Sequence, residues 1–421
     1  MRRRMIPRVA SVVFLIAFGL ALAGRAEAAT EIKWLQWWVN EWGPDNHASL
    51  ITGFEKENPD IKVTVVDSPY PQMAGKLNAA AASGDASYDL FGVEAGWISG
   101  LVKLGYIEKL DAWLNRDKAF ADGLVETARR RLAGSTYSLC LYMIPYHFAY
   151  NVDVFQKKGL QPPRSWDEFV TVLRALRDKS QNRYGMSLTL SEPGFLMTRY
   201  FGYRLAQEGG RWIDNDGKVV FNSPEGVAAL TFWKSLYGMD LVVPGSLGEN
   251  QTQMLEYLAA GQVDTIIDGP FIWSKAKQIS PNIRLAYAPP WKLKTGGYQW
   301  ACSGIGVSSK SPNKEAAWKF VQYLYSPTVS VQMTKTISLP WATKAAMASL
   351  SGSSDPILRY VPDFSTQDTR SNLLMPVLPE GARLGEAFKI AFQDGVTGKK
   401  SPQAALDEAA AIWQAELNKV K

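Results

Sequence analysis

Four tryptophans and an acidic residue stand within ten positions near the start of the chain. Residues 34 to 43 read WLQWWVNEWG. A tryptophan ring offers a flat apolar face, and its indole N–H donates a hydrogen bond from the edge. Carboxylate and amide groups supply polar contacts, and the charged ones form the stronger hydrogen bonds. This combination suits a ligand with C–H groups on its faces and hydroxyl groups around its rim.

The surrounding segments have the periodicity of an α/β protein. EIKWLQWWV, IKVTVV and YDLFGV are apolar runs typical of buried strands, and helical patterns lie between them. A β-α-β-α-β order predicts a parallel sheet. Right-handed crossovers place the carboxyl ends of its strands at one edge, where ligands bind. The loops Trp38–Pro44, Ser68–Pro71 and Glu94–Trp97 should therefore converge on one site.

The position of each tryptophan along the first strand predicts whether it lies in the core or at the ligand edge. Trp34 lies mid-strand, where we expect it in the core, whereas residues at the carboxyl end reach the ligand edge. One of the paired tryptophans could instead pack against the following helix. The candidates for ligand contact in this segment are Trp37, Trp38, Asn40, Glu41 and Trp42.

The first 28 residues are typical of a secretory signal. The basic head MRRRMIPRVA precedes a short apolar run, SVVFLIAFGLALAG, and small residues stand before Ala29. The run is shorter than the ~20 residues of a spanning helix, although a retained anchor is the alternative. Because no cysteine lies near the cleavage site, we expect release into the periplasm and no lipoprotein anchor.

Net charge argues against nucleic-acid binding, and chain length indicates the number of domains. The formal net charge is +6, and five arginines and one glutamate of the first 28 residues account for +4 of it. The remainder carries +2 and shows no basic stripe suited to nucleic acid. With 421 residues, the chain is long enough for two domains or lobes.

Cysteine and histidine are scarce. Cys140 and Cys302 could pair in an oxidising compartment, but sequence spacing does not show whether they are close in space. The two histidines, His47 and His147, are too few and too far apart for a histidine-rich metal site. No metal is therefore expected.

Eight segments, in order along the chain, resemble a known family. They are FEKENPDIKV, AAASGDASYDL, LVKLGYIEKLD, IPYHFAYNVDVF, PPRSWDEF, NSPEGVAALTFW, AAGQVDTIIDGPF and SSKSPNKEAAWKFVQYL. Together they resemble the extracellular solute-binding proteins of ABC importers, in the large sugar-binding class that includes maltose- and glucose-binding proteins. The resemblance implies a monomer that binds a mono- or oligosaccharide, needs no cofactor and delivers the sugar to an ABC permease.

The resemblance also implies the architecture. We expect two α/β lobes with parallel-rich sheets, joined by a hinge, with the ligand cleft between them as in type II periplasmic binding proteins. The expected first lobe comprises residues 29–147 and 304–340, and the second comprises residues 148–303 and 341–421. The hinge would lie near Pro145–Tyr150, Cys302–Gly306 and Pro340–Lys344.

The remaining site candidates rest on the resemblance. Glu94 and Trp97 follow the third strand, where the family has a polar contact. His147 stands where the chain crosses between lobes, although a histidine bonded to local backbone is the alternative. DGPF resembles the Gly-Pro-Trp signature of the family, with Phe271 in place of the stacking tryptophan. The other candidates are Tyr146, Phe195, Gln251, Tyr298 and Trp300.

Other functions stay open at this stage. A secreted glycosidase would use two carboxylates, and Glu41 with Glu94 could serve, although Gly-x-Ser-x-Gly, His-Glu-x-x-His and phosphate-loop motifs are lacking. A polyamine would favour an aromatic box with several acids, which the same loops could form. A glycerol phosphate or peptide ligand is a further alternative, but a phosphate calls for arginine or a free helix N-terminus, and the candidate loops contain no arginine.

Overall fold

The computed structural model describes residues 29–355, 358–361 and 373–419. The predicted signal segment, residues 1–28, lies outside the described residues, as do the side chains of Asn40 and Phe195. Within the described ranges, no helix has the length and apolar character needed to cross a bilayer.

The strands are β1 (Thr30–Gln36), β2 (Ile61–Asp67), β3 (Leu90–Val93), β4 (Arg129–Leu132), β5 (Ser135–Pro145), β6 (His147–Asn151), β7 (Thr265–Asp268), β8 (Leu285–Tyr287), β9 (Gln299–Val307) and β10 (Leu373–Leu374). The α-helices span Val39–Trp42, Pro44–Glu57, Tyr70–Ser83, Ala95–Lys103, Asp111–Arg116, Lys118–Gly123, Val152–Lys158, Trp166–Leu176, Pro193–Phe195, Tyr203–Glu208, Pro224–Gly238, Gln251–Ala259, Ile272–Ile279, Lys314–Leu324, Pro327–Ile337, Lys344–Ala348, Gly381–Thr397 and Pro402–Leu417. Short 3-10 helices span Glu126–Ala128, Pro244–Leu247 and Leu358–Tyr360, and a π-helix spans Leu196–Gly202.

The larger sheet has the strand order β2-β1-β3-β9-β5-β4, with β10 paired to β9. Strand β1 pairs in parallel with both β2 and β3, so the predicted parallel β-α-β-α-β start of the chain is confirmed. The pairs β3–β9, β9–β5 and β5–β4 are antiparallel. Trp34 is fully buried and meets Phe320 edge-on at 5.3 Å between ring centroids, which confirms its place in the core.

The smaller sheet has the order β7-β6-β8, and both of its pairings are antiparallel. Between β5 and β6 the chain passes from the larger sheet to the smaller over a single residue, Tyr146, and it returns to the larger sheet between β8 and β9. Each sheet is covered by helices, so the molecule has the mixed α/β, two-lobed class that the sequence predicts.

Cys140 and Cys302 form a disulfide that joins β5 to β9, with a Cα–Cα distance of 5.6 Å. These two strands pair in antiparallel fashion, and Cys302 is opposite Met143 in the register. Strand β9 runs through the predicted boundary at residues 303 and 304 and belongs to the larger sheet over its whole length. The exact lobe limits stay a prediction.

Candidate ligand cavity

A cavity of about 550 Å³ lies between the two sheets. This volume falls within the range of small-molecule sites in proteins. Its wall combines residues that follow strands of the larger sheet, residues next to the smaller sheet, and the C-terminal segment 374–386. The lining residues used below are Trp37, Glu41, Tyr70, Glu94, Trp97, Arg130, Tyr142, Tyr146, Glu192, Gln251, Phe271, Lys275, Cys302, Ser303, Met375 and Glu386.

Three aromatic rings form one wall of the cavity. Trp37 meets Tyr70 at 5.3 Å and Trp97 at 5.8 Å between ring centroids, both in edge-to-face geometry. Tyr70 and Trp97 are 5.7 Å apart. Such contacts hold aromatic rings in fixed orientations. The wall therefore presents a preformed apolar surface, as predicted for the loops that follow β1, β2 and β3.

The close packing of Trp37 depends on a glycine in the neighbouring strand. Trp37 is 5% exposed and comes directly after β1. A Cβ atom placed on Gly92, in β3, would stand 2.5 Å from the Trp37 ring. Because real side chains do not approach this closely, only glycine leaves room for the ring in its present position.

Glu41 and Lys275 form an ion pair inside the cavity. The carboxylate Oε1 of Glu41 lies 3.4 Å from the Lys275 ammonium, and Tyr142 donates a hydrogen bond of 3.4 Å to Oε2. Burial raises the pKa of Glu41, and the charge of Lys275 partly offsets this effect. Lys275 also donates to Gln251 Oε1 at 3.0 Å. The pair therefore joins a helix that follows β1 of the larger sheet to a helix that follows β7 of the smaller sheet.

Glu94 lies on the same side as the aromatic wall. It accepts a hydrogen bond of 3.0 Å from the Ser303 hydroxyl. Burial raises the pKa of Glu94 to about 8, and the negative charge of Glu41 acts in the same direction. Near neutral pH this carboxyl group is therefore mostly protonated, so it can both donate and accept a hydrogen bond.

The opposite wall rests on a buried ion pair. Phe271 and Tyr146 line the cavity, and the Arg199 guanidinium lies 5.1 Å from the Tyr146 ring and 6.0 Å from the Phe271 ring. Arg199 lies in the π-helix and pairs with Asp268 at 3.1 Å, with both side chains fully buried. Gln251 donates to Asp268 Oδ2 at 3.2 Å. Buried and paired groups of this kind fix the rings that they contact.

Two of the predicted tryptophans lie behind the cavity wall. Trp38 is fully buried and Trp42 is 3% exposed, and their rings stack at 5.1 Å with an interplanar angle of 4°. Neither lines the cavity. Trp38 contacts Trp37 at 4.6 Å between ring centroids, so this pair supports the ring that faces the cavity.

His147, Tyr298 and Trp300 also lie away from the cavity lining. The neutral His147 ring accepts a hydrogen bond from the Tyr203 hydroxyl at Nδ1 (2.8 Å) and donates from Nε2 to the Pro289 carbonyl oxygen (3.3 Å). Burial lowers its pKa to about 3. Tyr298 stacks on Tyr203 at 5.2 Å, and Trp300 is 4% exposed in β9. The sequence could not separate these positions from the cavity because they border the same chain crossings.

The structure thus gathers seven of the predicted contacts around one cavity. These are Trp37, Glu41, Glu94, Trp97, Tyr146, Gln251 and Phe271. The lining residues that sequence reasoning missed include Tyr70, Arg130, Glu192 and Lys275. Tyr70 was within reach of that reasoning because it lies in the loop Ser68–Pro71, and Lys275 follows Phe271 by one helical turn. No local pattern points to Arg130.

The cavity contains carboxylates but no metal-ligand cluster. Across the described ranges, no three His, Cys, Asp or Glu side chains are grouped so as to hold a metal ion. Two helix-covered sheets with a cavity of this size between them are the two-lobed α/β architecture that the sequence predicts.

Comparison with known proteins identifies the family. Residues 33–330 match the bacterial extracellular solute-binding proteins, and the chain belongs to that family. It is 25% identical over 406 residues to a binding protein of Brucella abortus (strain 2308), covering 95% of this chain and 96% of that protein. It is 23% identical over 413 residues to the galactooligosaccharide-binding protein of Bacillus subtilis (strain 168), covering 96% and 94%.

Solved structures show the same fold. The GacH receptor of Streptomyces glaucescens, solved unliganded and with acarbose, is 22% identical with a TM-score of 0.76 and covers 94% of this chain and 100% of that chain. A solute-binding protein of Thermotoga lettingae bound with α-D-tagatose is 23% identical with a TM-score of 0.76 and covers 93% and 100%. The chain therefore has the fold of ABC-transporter solute-binding proteins.

Proposed function

We propose that this protein binds a mono- or oligosaccharide in the cavity and delivers it to an ABC permease. The observation that carries the proposal is the aromatic wall of Trp37, Tyr70 and Trp97 beside polar groups in one ligand-sized cavity. Aromatic faces suit the C–H surfaces of a sugar, and planar polar groups suit its hydroxyls. The names of the relatives, which include a galactooligosaccharide-binding protein, support the same class of ligand.

In this proposal the ligand contacts come from both sheets. Trp37 and Trp97 stack on the sugar from one side and Phe271 from the other, while Glu41, Glu94 and Gln251 bind hydroxyls. A ligand that touches both sides stabilises the closed arrangement of the lobes over the open one. The closed surface then docks to the permease. The protein acts as a monomer in the periplasm after removal of residues 1–28, and it performs no catalysis.

Thermal unfolding with a ligand panel tests this proposal. The purified protein is first freed of ligand by partial unfolding and refolding, and its melting temperature is measured with neutral and acidic saccharides, polyols and polyamines. A ligand at 100 times its Kd adds about 2.7 kcal/mol to the free energy of unfolding, so we expect a clear shift with at least one saccharide. A shift with polyamines alone would contradict the proposal that the ligand is a sugar. Release of nitrophenol from nitrophenyl glycosides would contradict the proposal that the protein performs no catalysis.

A variant pair locates the binding site. Trp97→Leu removes one cavity ring, whereas Trp113→Leu removes a half-buried ring that packs on Trp318 and does not line the cavity. We expect Trp97→Leu to reduce saccharide affinity at least about fivefold, since one aromatic contact contributes about 1 kcal/mol beyond its buried area. Trp113→Leu should leave the affinity unchanged. Equal effects of the two variants would place the ligand elsewhere.

A further inference from the structure

Arg130 is a buried cation in the cavity wall that the proposed sugar contacts do not use. It lies in β4, is 6% exposed and lines the cavity. A guanidinium has five N–H donors. Among the described residues, Arg130 makes one hydrogen bond, from Nη2 to the carbonyl oxygen of Met375. Among the described residues Arg130 has no ion-pair partner, and Glu94 is the carboxyl group whose charge acts on it.

Two other carboxylates of the cavity are paired with lysines. Glu41 pairs with Lys275 at 3.4 Å, and Glu386 pairs with Lys389 at 2.6 Å. Glu192 accepts a hydrogen bond of 3.0 Å from the backbone N–H of Gln251, and the positive charge of Arg199 acts on it.

Glu94 does not supply a full negative charge to neutralise Arg130 at pH 7. Its charge acts on Arg130, but burial raises the pKa of Glu94 to about 8, so it is mostly neutral at pH 7. Burial also lowers the pKa of Arg130 to about 10, and the charge of Glu94 offsets this effect only in part.

We infer that Arg130 binds an anionic substituent of the ligand, so that the cavity takes a saccharide carrying a carboxylate or a sulfate group, with a uronic acid as the first candidate. This inference rests on the proposed function. A guanidinium binds a carboxylate or sulfate through two parallel N–H···O bonds. Met375 holds one end of the Arg130 side chain, which fixes the direction of the remaining donors.

Calorimetric titration of the ligand-free protein tests the inference. The probes are glucuronate- and galacturonate-containing disaccharides, a sulfated disaccharide, and the neutral counterpart of each. We expect one acidic member to bind at least about tenfold tighter than its neutral counterpart, because a hydrogen bond to a charged group contributes about 1.5–3 kcal/mol. Tighter binding of the uronate would identify a carboxylate as the group that Arg130 binds, and tighter binding of the sulfated sugar would identify a sulfate.

Substitutions in strand β4 test whether Arg130 causes the preference for the anionic sugar over its neutral counterpart. Arg130→Gln should abolish the preference for the anionic sugar over its neutral counterpart, because the charged two-bond donor is lost. Arg130→Lys should keep part of the preference, since the charge remains but the two-bond geometry is lost. Arg131→Gln is the matched control, because Arg131 pairs with Glu126 on the surface.

Two results would overturn the inference. If the neutral sugars bind as tightly as the anionic ones to the unaltered protein, Arg130 does not select an anion, while the proposed function stands. If no saccharide of either kind binds, both proposals fail. Should Arg130→Gln not fold, as judged by circular dichroism, the comparison of matched ligands on the unaltered protein and on Arg130→Lys still decides.

Discussion

The Glu41 carboxylate lies 3.4 Å from the Lys275 ammonium, and the two residues stand on opposite sides of the cavity. Glu41 follows β1 of the larger sheet, whereas Lys275 lies in the helix Ile272–Ile279 that follows β7 of the smaller sheet. Their attraction acts between the two sides without a ligand. A sugar that enters must therefore keep this pair or replace it with its own hydrogen bonds.

Removal of this cross-cavity pair should favour the open protein. We expect Lys275→Gln to increase the radius of gyration of the ligand-free protein in small-angle X-ray scattering, because Glu41 loses its partner on the other side. Lys277→Gln, an exposed position in the same helix, is the control and should leave the scattering unchanged. Identical curves for both variants would mean that the pair does not hold the two sides together.

Gly92 should be the residue that sets the position of Trp37. In Gly92→Ala the added Cβ would stand 2.5 Å from the Trp37 ring, so the ring must shift. We expect a loss of about 1–3 kcal/mol in the free energy of unfolding and weaker ligand binding, both measured by denaturant titration with and without ligand. Gly75→Ala is the control, since no atom lies within 4 Å of its added Cβ. Equal stability of the two variants would contradict the packing described.

Glu94 should make the protein less stable as the pH rises. The carboxyl group ionises near pH 4.5 in the unfolded chain, but burial raises its pKa to about 8 in the folded protein. Between these values the folded state holds more protons, so stability falls by up to about 1.4 kcal/mol per pH unit. Glu94→Gln should flatten this decline in urea titrations from pH 7 to 8.

Other groups also contribute to the slope. Burial lowers the pKa of His47 to about 4 and that of His147 to about 3, so both add stability as the pH rises toward 6.5, and the decline is clearest between pH 7 and 8. Burial also raises the pKa of Glu41, so part of the decline should remain in Glu94→Gln. Glu256→Gln, at an exposed position, should keep the full decline. A variant profile for Glu94→Gln that matches the unaltered protein at every pH would show that Glu94 ionises normally.

The disulfide Cys140–Cys302 should contribute strongly to stability. It closes a loop with a sequence separation of 162 residues, and such a crosslink restricts the unfolded chain. We expect the double variant Cys140→Ala with Cys302→Ala to lose about 2–4 kcal/mol in denaturant titration. Dithiothreitol should destabilise the unaltered protein to the same extent and leave the double variant unaffected. A midpoint that does not move in either experiment would contradict this role.

Periodicity predicts the first lobe well because its elements alternate in sequence. The buried strands β1, β2 and β3 and the helices between them follow one another, and both β2 and β3 pair with β1. The later pairings join distant segments. Strand β9 inserts between β3 and β5, and β10 pairs with β9, and no local pattern specifies which distant strands pair.

The candidate site likewise contains some positions that the sequence predicts and others that it does not. The position of Trp37, Glu94 and Trp97 after parallel strands predicts a shared edge, because that edge is a property of the topology. Trp38 has the same local context as Trp37, and only the three-dimensional packing places it behind the wall. Arg130 reaches the cavity from β4, an antiparallel edge strand. The rule that ligands bind at the carboxyl ends of parallel strands does not apply there.

A crystal structure of the protein with a bound saccharide tests the central claim most directly. We expect electron density for a sugar ring in the 550 Å³ cavity, against the faces of Trp37 and Trp97 and within hydrogen-bond distance of Glu94. A saccharide bound outside this cavity, or bound in it without contact to these residues, would contradict the account.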